Sequence, residues 1–316
     1  ANAIAIRIAR AYSKKDNVAI CGYHGWHDWY LASNLKNKES LNSHLLKGLY
    51  TSGVPKKLKN TVFSFNYNDF DQLTKIIKKH NIGTIKMEVM RNIKPKNDFL
   101  LKVRDISNKN NIVLIFDECT SGFRESYGGI YKKFKINPDI VIYGKAIANG
   151  YPLTAVVGKR EVMEHANNSF ISSTFWTDRV GYVAGLKTLE YMTKTNSWKK
   201  ISFIGKKIKN NWEKLAKKYN LKINISGIDA LPSFTLLYDD WIKYKTFITQ
   251  EMLKNNILAT NTIYVSLAHK ESYIKKYFVI LERIFKKIKN FENNEDMEID
   301  SYLKSLPAQT TFGRMN

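Results

Sequence analysis

Apolar positions along the chain follow two periods. Short apolar runs bounded by polar or turn residues recur at 17–21, 62–65, 83–89, 112–116, Ile140–Tyr143 and 153–157. These are too short for core helices and read as buried strands. Between them the apolar residues fall at helical spacing. Residues 1–11 place Ile4, Ile8 and Ala11 on one face, and 69–80 carries Phe70, Leu73, Ile76 and Ile77. Helices are also expected over 98–110 and 178–192, with the polar-aromatic segment 170–177 as a loop. Strand and helix thus alternate as in a mostly parallel α/β sheet. Past residue 195 the pattern changes to a Lys-rich helix over 197–219, short strands within 221–237 around Gly227 and Pro232, and helices over 244–255 and 271–290. An acidic run, 292–300, reads as a surface connection before a last short helix. The expected organisation is a large domain, 1–195, and a smaller α+β domain, 196–316.

The chemistry gathers where strands end. Asp117 follows the run 112–116 immediately, and Lys145 follows Ile140–Tyr143 after a single glycine. A carboxylate and an amine therefore sit at the carboxyl edge of a parallel sheet, the edge where open α/β folds bind ligands. Glu88 lies near the end of 83–89, and the strand 17–21 runs into the aromatic turn GYHGWHDWY, residues 22–30. Alone, Asp117 is equally a helix cap, Lys145 a surface lysine and the aromatics loop packing. Together, an amine that can condense with an aldehyde, a carboxylate that can keep a ring nitrogen protonated and a flat aromatic face are the parts a protein supplies to pyridoxal phosphate, PLP. His24 and His27 lack a third ligand at a sensible spacing, which argues against a metal site.

Composition narrows the alternatives. The chain has 316 residues, 44% of them hydrophobic, enough for a sizeable core. Its net charge of +23 could suit a polyanion. The lysines, however, are scattered among apolar residues at helical spacing, as in 206–209 and 286–289, with no nucleic-acid motif beside them. Neither a bilayer-length apolar run nor a signal-peptide pattern is present, so the expected address is the cytoplasm. Cys21 and Cys119 are too few for a disulfide framework and read as reduced thiols. The first residue is Ala and the chain opens inside a helical pattern, which reads as a fragment of a longer frame.

Five ordered motifs, ANAIAIRIARA, GYHGWHDWY, IFDECTSGFR, PDIVIYGKAIANGYP and SSTFWTD, together resemble the class III PLP-dependent aminotransferases, within them the branch similar to glutamate-1-semialdehyde 2,1-aminomutase. The resemblance covers essentially the whole chain, most strongly 1–193. It implies the fold type I PLP-transferase architecture, with helices on both faces of the sheet. It also implies that Lys145 carries PLP through a Schiff base and moves protons, and that Asp117 pairs with the ring nitrogen. Tyr23 would cover one face of the ring, with His24 and Gly25 completing that motif, and Glu88 would lie in the cofactor pocket. Thr174 would reach the neighbouring cofactor of a homodimer. Ser121 and Arg124 would have supporting roles.

Departures shape the expectation. Val89 stands where proline usually follows the glutamate, and the family's phosphate-holding turn would lie just upstream of Ala1. Residues 148–152, Ala-Asn-Gly-Tyr-Pro, replace the Gly-Gly-Gly-Leu-Pro type sequence of the aminomutases. The implied activity is amino transfer between an amine or amino acid and a carbonyl acceptor. The alternatives are intramolecular aminomutation and, more remotely, an inactive family remnant or a basic binding protein.

Overall fold

A computed structural model describes residues 1–44, 46–293 and 297–309, which form two compact units, residues 1–195 and a second beginning at Asn196. The acidic stretch 294–296, part of the expected connection, lies outside the described residues.

In the first unit α1 (Asn2–Ser13) leads to β1 (Asn17–Cys21), a short α2 (Asp28–Leu31), β2 (Val62–Ser64), α3 (Phe70–Lys79) and β3 (Ile82–Glu88). There follow α4 (Phe99–Lys109), β4 (Val113–Asp117), β5 (Ile140–Tyr143), β6 (Ala155–Gly158), a one-turn α5 (Arg160–Met163) and α6 (Arg179–Thr195). The strands join one sheet in the order β2-β1-β3-β4-β5-β6; β6 alone is antiparallel to its neighbour. That strand begins at Ala155 rather than Leu153, because Leu153 lies against Gly181 and Gly185 of α6.

Helix α1 packs across β3, β4 and β5, and α3 and α4 pack against β1 and β4 respectively. The face of α1 differs from the expected one. Ala5, Ile6, Ile8 and Ala9 are buried, whereas Ile4 and Ala11 are only partly covered. Ala5 and Ala9 let the helix backbone approach the sheet while Ile6 and Ile8 pack among Val18, Ile20, Val113, Ile115, Ile140 and Ile142. Each such buried Ile or Val contributes about 1.5–3 kcal/mol. The helix stops where Lys14 turns left-handed and its N–H caps the Arg10 carbonyl.

The second unit holds α7 (Ser197–Lys218), the hairpin β7 (Ile223–Ser226) and β8 (Ser233–Leu236), α8 (Trp241–Lys254) and α9 (Glu271–Asn293). The strands expected within 221–237 are this hairpin. Its core surrounds Trp212, Phe234, Phe247 and Phe285, and the buried Trp212 indole N–H donates to the Tyr277 hydroxyl at 3.0 Å. Among the described residues no helix is long and apolar enough to cross a membrane.

Candidate active site

Four neighbouring strands, β1, β3, β4 and β5, deliver polar groups to one carboxyl edge. Glu88 closes β3 and stands in register with Asp117, which closes β4; Asp117 in turn pairs with Ile142 of β5, three residues before Lys145. Tyr23 lies two residues beyond β1. Lys145 is exposed and left-handed, with φ of 47°, in the short turn that leaves β5. A lysine held there stores about a kilocalorie of backbone strain, of the kind that gathers at functional sites.

Asp117 is no helix cap. It is only 4% exposed, and its Oδ1 accepts the Cys119 N–H at 3.1 Å. Its Oδ2 takes two partners, His24 Nδ1 at 2.8 Å and Lys86 Nζ at 3.2 Å. Burial alone would push this carboxyl up; the Lys86 ammonium and the His24 hydrogen bond overcome that and hold it well below the usual carboxylate range. Burial likewise draws Lys86 below the ordinary lysine range, opposed by Asp117.

His24 is brought down to about 4, first by burial and then by Lys86. At neutral pH it is therefore the uncharged imidazole, its Nδ1–H donating to Asp117 while the buried Nε2 has no partner. This has a measurable consequence. Unfolded, the ring titrates near 6.5, so between about pH 6.5 and 4 the unfolded chain binds a proton that the fold refuses, and stability falls with pH by up to roughly 3 kcal/mol. Half-buried His44 acts in the same direction. Asp117 adds its loss only below about pH 4, where an unfolded aspartate becomes protonated. A lower urea midpoint at about pH 5 than at pH 7.5 is expected, with His24→Gln flattening the slope by about one proton. Equal midpoints at both pH values would refute this assignment.

A second chain of contacts links Tyr23 to Lys145. Glu88 accepts the Tyr23 N–H on Oε2 at 3.2 Å and pairs through Oε1 with Arg91 at 3.2 Å. Arg91 also reaches Thr120 Oγ1 at 3.3 Å, the atom that accepts from Lys145 Nζ at 3.1 Å. Burial raises the Glu88 carboxyl, and Arg91 opposes the shift. Gly22 makes the approach possible: its φ is +111°, and a Cβ there would come within 2.7 Å of Glu88 Oε2. The half-buried Tyr23 ring meets Tyr30 edge-on, centroids 6.0 Å apart, and Tyr30 donates to the Gly22 carbonyl at 3.0 Å. Gly25 supplies another positive φ, +98°, which turns the chain between buried His24 and exposed Trp26.

Comparison with known proteins decides the family. The sequence profile described as aminotransferase class-III matches residues 1–262. The chain belongs to the class-III aminotransferase family. A relative, the 3-aminobutyryl-CoA aminotransferase of Cloacimonas acidaminovorans (strain Evry), is 35% identical over 81% of this chain and 61% of its own length. The glutamate-1-semialdehyde 2,1-aminomutase of Sulfurisphaera tokodaii is 33% identical over 74% of this chain and 57% of its own. The chain thus spans about three fifths of these curated relatives. In fold it resembles the PLP form of the FumI protein of Sphingopyxis sp. MTA144, with a TM-score of 0.80 and 20% identity, covering 92% of this chain and 69% of that one. It also resembles an omega-transaminase from Sphaerobacter thermophilus, with a TM-score of 0.78 and 22% identity, covering 90% and 71%.

For a class-III aminotransferase chain the layout is specific. Tyr23, His24, Glu88, Asp117 and Lys145 come together at the sheet edge. Thr174 does not join them: it opens an exposed turn, Thr174–Thr177, and among the described residues it makes no hydrogen bond to Asp117 or Lys145. Ser121 donates to the buried Glu118 carboxylate, which also accepts the Tyr131 N–H at 2.9 Å, and the Arg124 Nε–H donates to the Thr120 carbonyl at 2.6 Å. These residues brace the turn that carries Cys119 and Thr120. Cys119 is free and half-buried, its thiol pushed up to about 12 by burial and by Asp117. Lys86, Arg91 and Thr120 were not singled out from sequence. A lysine inside the run Ile82–Glu88 was the available signal, since an unpaired lysine is rarely buried.

Proposed function

We propose that this chain carries the cofactor site of a PLP-dependent aminotransferase, which moves an amino group from an amine or amino acid to a carbonyl acceptor. The observation that carries the reading is the placement of ionised Asp117 and exposed Lys145 at the carboxyl ends of adjacent parallel strands, beside the aromatic turn at Tyr23.

The residues fit the group. A carboxylate has about four lone-pair sites; on Asp117 the His24 imidazole, the Lys86 ammonium and the Cys119 N–H take three, and the Cys119 thiol, a weak donor that a ring N–H would displace, reaches the same carboxylate. Helix α1 starts beside the site, where the Asn2 side chain donates to the His24 carbonyl at 3.1 Å, and no side chain caps its first turn. Unpaired N–H groups at such an end favour an anion. When bound, PLP supplies an aldehyde that condenses with amines and a ring that withdraws electrons from the adjoining carbon.

The chain's own groups would then divide the labour. Asp117 would hold the ring nitrogen's proton, Tyr23 would cover a face of the ring, and Lys145 would be the attachment amine and afterwards move the substrate's proton. Arg91, with Thr120, keeps the lysine's approach ordered. The test is to add PLP to the purified protein and follow its spectrum against a panel of amines and, separately, carbonyl acceptors. Conversion by donors and reversal by acceptors are expected; a spectrum that no amine alters defeats the reading.

Intramolecular aminomutation is the second reading, favoured by the aminomutase names of the 33% and 28% identical relatives. It predicts turnover of a single amino-aldehyde with no second substrate. We further infer a cytoplasmic homodimer. Phe170, Phe175, Val180, Val183 and Leu186, flanking Thr174, are each more than half exposed, an apolar surface that a second copy would cover. Light scattering that reads a monomer at micromolar concentration would remove this part.

A further inference from the structure

Strand β3 contains a placement that packing does not call for. Lys86 has no exposed surface, although it lies in register between Ile20 of β1 and Ile115 of β4. Both of those neighbours belong to the apolar face beneath α1. An ammonium taken out of water here loses several kilocalories of solvation, which a single ion pair recovers only in part. A methionine or leucine would fill the space without that cost. Among the described residues the one ion pair Lys86 makes is with Asp117 Oδ2, at 3.2 Å.

We propose that Lys86 is a positioning residue that shares the Asp117 carboxylate with the cofactor's ring nitrogen, and so makes the ring a weaker electron sink than an unshared aspartate would. The inference rests on the assignment of Asp117 as the ring nitrogen's partner. Lys86 and His24 both engage Oδ2, so the carboxylate is fixed in rotation; Oδ1 accepts the Cys119 N–H, and the Cys119 thiol, a weak donor also hydrogen-bonded to Asp117, is the partner a ring nitrogen would displace. A proton on a nitrogen bound to Oδ1 then sits across the carboxylate from a second cation. At an effective dielectric near 20 and a separation of roughly 6 Å, that cation lowers the nitrogen's affinity for its proton by about tenfold to a hundredfold.

The other groups facing Lys86 do not cancel this. Glu88, at the end of the same strand, is already paired with Arg91. His24 is neutral near pH 7 and the Cys119 thiol is protonated there. Lys86 and Asp117 therefore nearly neutralise each other before the ring nitrogen is counted.

The experiment is nitrogen-15 NMR of ring-labelled PLP bound to the protein, read across pH for the wild type, Lys86→Met and Lys86→Arg. The ring nitrogen is expected to lose its proton about one to two pH units higher in Lys86→Met than in the wild type. Lys86→Arg, which keeps the charge, should stay near the wild type. A merely structural lysine would change the melting temperature of the apoprotein and leave the ring-nitrogen midpoint where it was, which overturns the proposal. Should Lys86→Met fail to fold, the wild type decides: a midpoint below about pH 8 supports sharing, and a nitrogen still protonated above about pH 10 overturns it. Failure to take up PLP at all would defeat the assignment of Asp117, whereas uptake with coincident midpoints defeats only the role of Lys86.

Discussion

Replacement of Lys145 by alanine is expected to remove the visible absorbance of lysine-bound PLP and to lower amino transfer by about 10⁴-fold or more, the scale on which loss of a combined nucleophile and proton carrier is felt. The fold should survive. Lys145 is exposed, and among the described residues its side chain makes one hydrogen bond, to Thr120 Oγ1 at 3.1 Å. Alanine at a φ of 47° costs no more than the lysine it replaces, since both carry a Cβ in the left-handed region. Unchanged far-ultraviolet dichroism and a melting temperature within a few degrees of wild type would therefore separate lost chemistry from lost structure. A variant that kept more than about a tenth of the activity would mean that another amine serves, and the assignment would fail.

Asp117→Asn is the second large effect, and it acts on two quantities at once. The neutral amide no longer compensates the buried Lys86 ammonium, which leaves an unpaired charge with no exposed surface and costs about 3–5 kcal/mol of stability. It also gives up the charge that keeps a ring nitrogen protonated, which should slow substrate proton transfer by several orders of magnitude while PLP still binds. The two losses can be separated. Adding Lys86→Met to Asp117→Asn removes the stranded charge, so the melting temperature should recover while the rate does not. A rate that Asp117→Asn left unchanged would reduce Asp117 to a structural brace for His24 and Lys86.

Much of this architecture could be read along the chain. The runs ending at Asp117 and before Lys145 are short, apolar and sharply bounded, so their strand character and the placement of both groups at one sheet edge followed from run length alone. The sequence pattern misplaces the face of α1 because an alanine-rich helix carries little contrast: Ile4, Ile6 and Ile8 offer competing stripes, and only the sheet beneath decides among them. The antiparallel direction of β6 is likewise a tertiary outcome, since an apolar run does not state its orientation. Arg91 and Lys86 escaped because their partners, Thr120 and Asp117, lie on other segments. The pairing of Glu88 with the Tyr23 amide is of the same kind.

The strand order of the sheet has a consequence for how the site comes into being. Glu88 and Asp117 end, and Tyr23 and Lys145 follow, strands that are adjacent in space and distant in sequence, joined by parallel pairings that need long crossovers. Closing those loops costs entropy before any contact repays it, so such pairings form late and slowly during folding. No local segment carries even two of the four groups. The cradle therefore cannot exist in a partly collapsed chain, and its assembly coincides with the cooperative closure of β1, β3, β4 and β5 into one sheet.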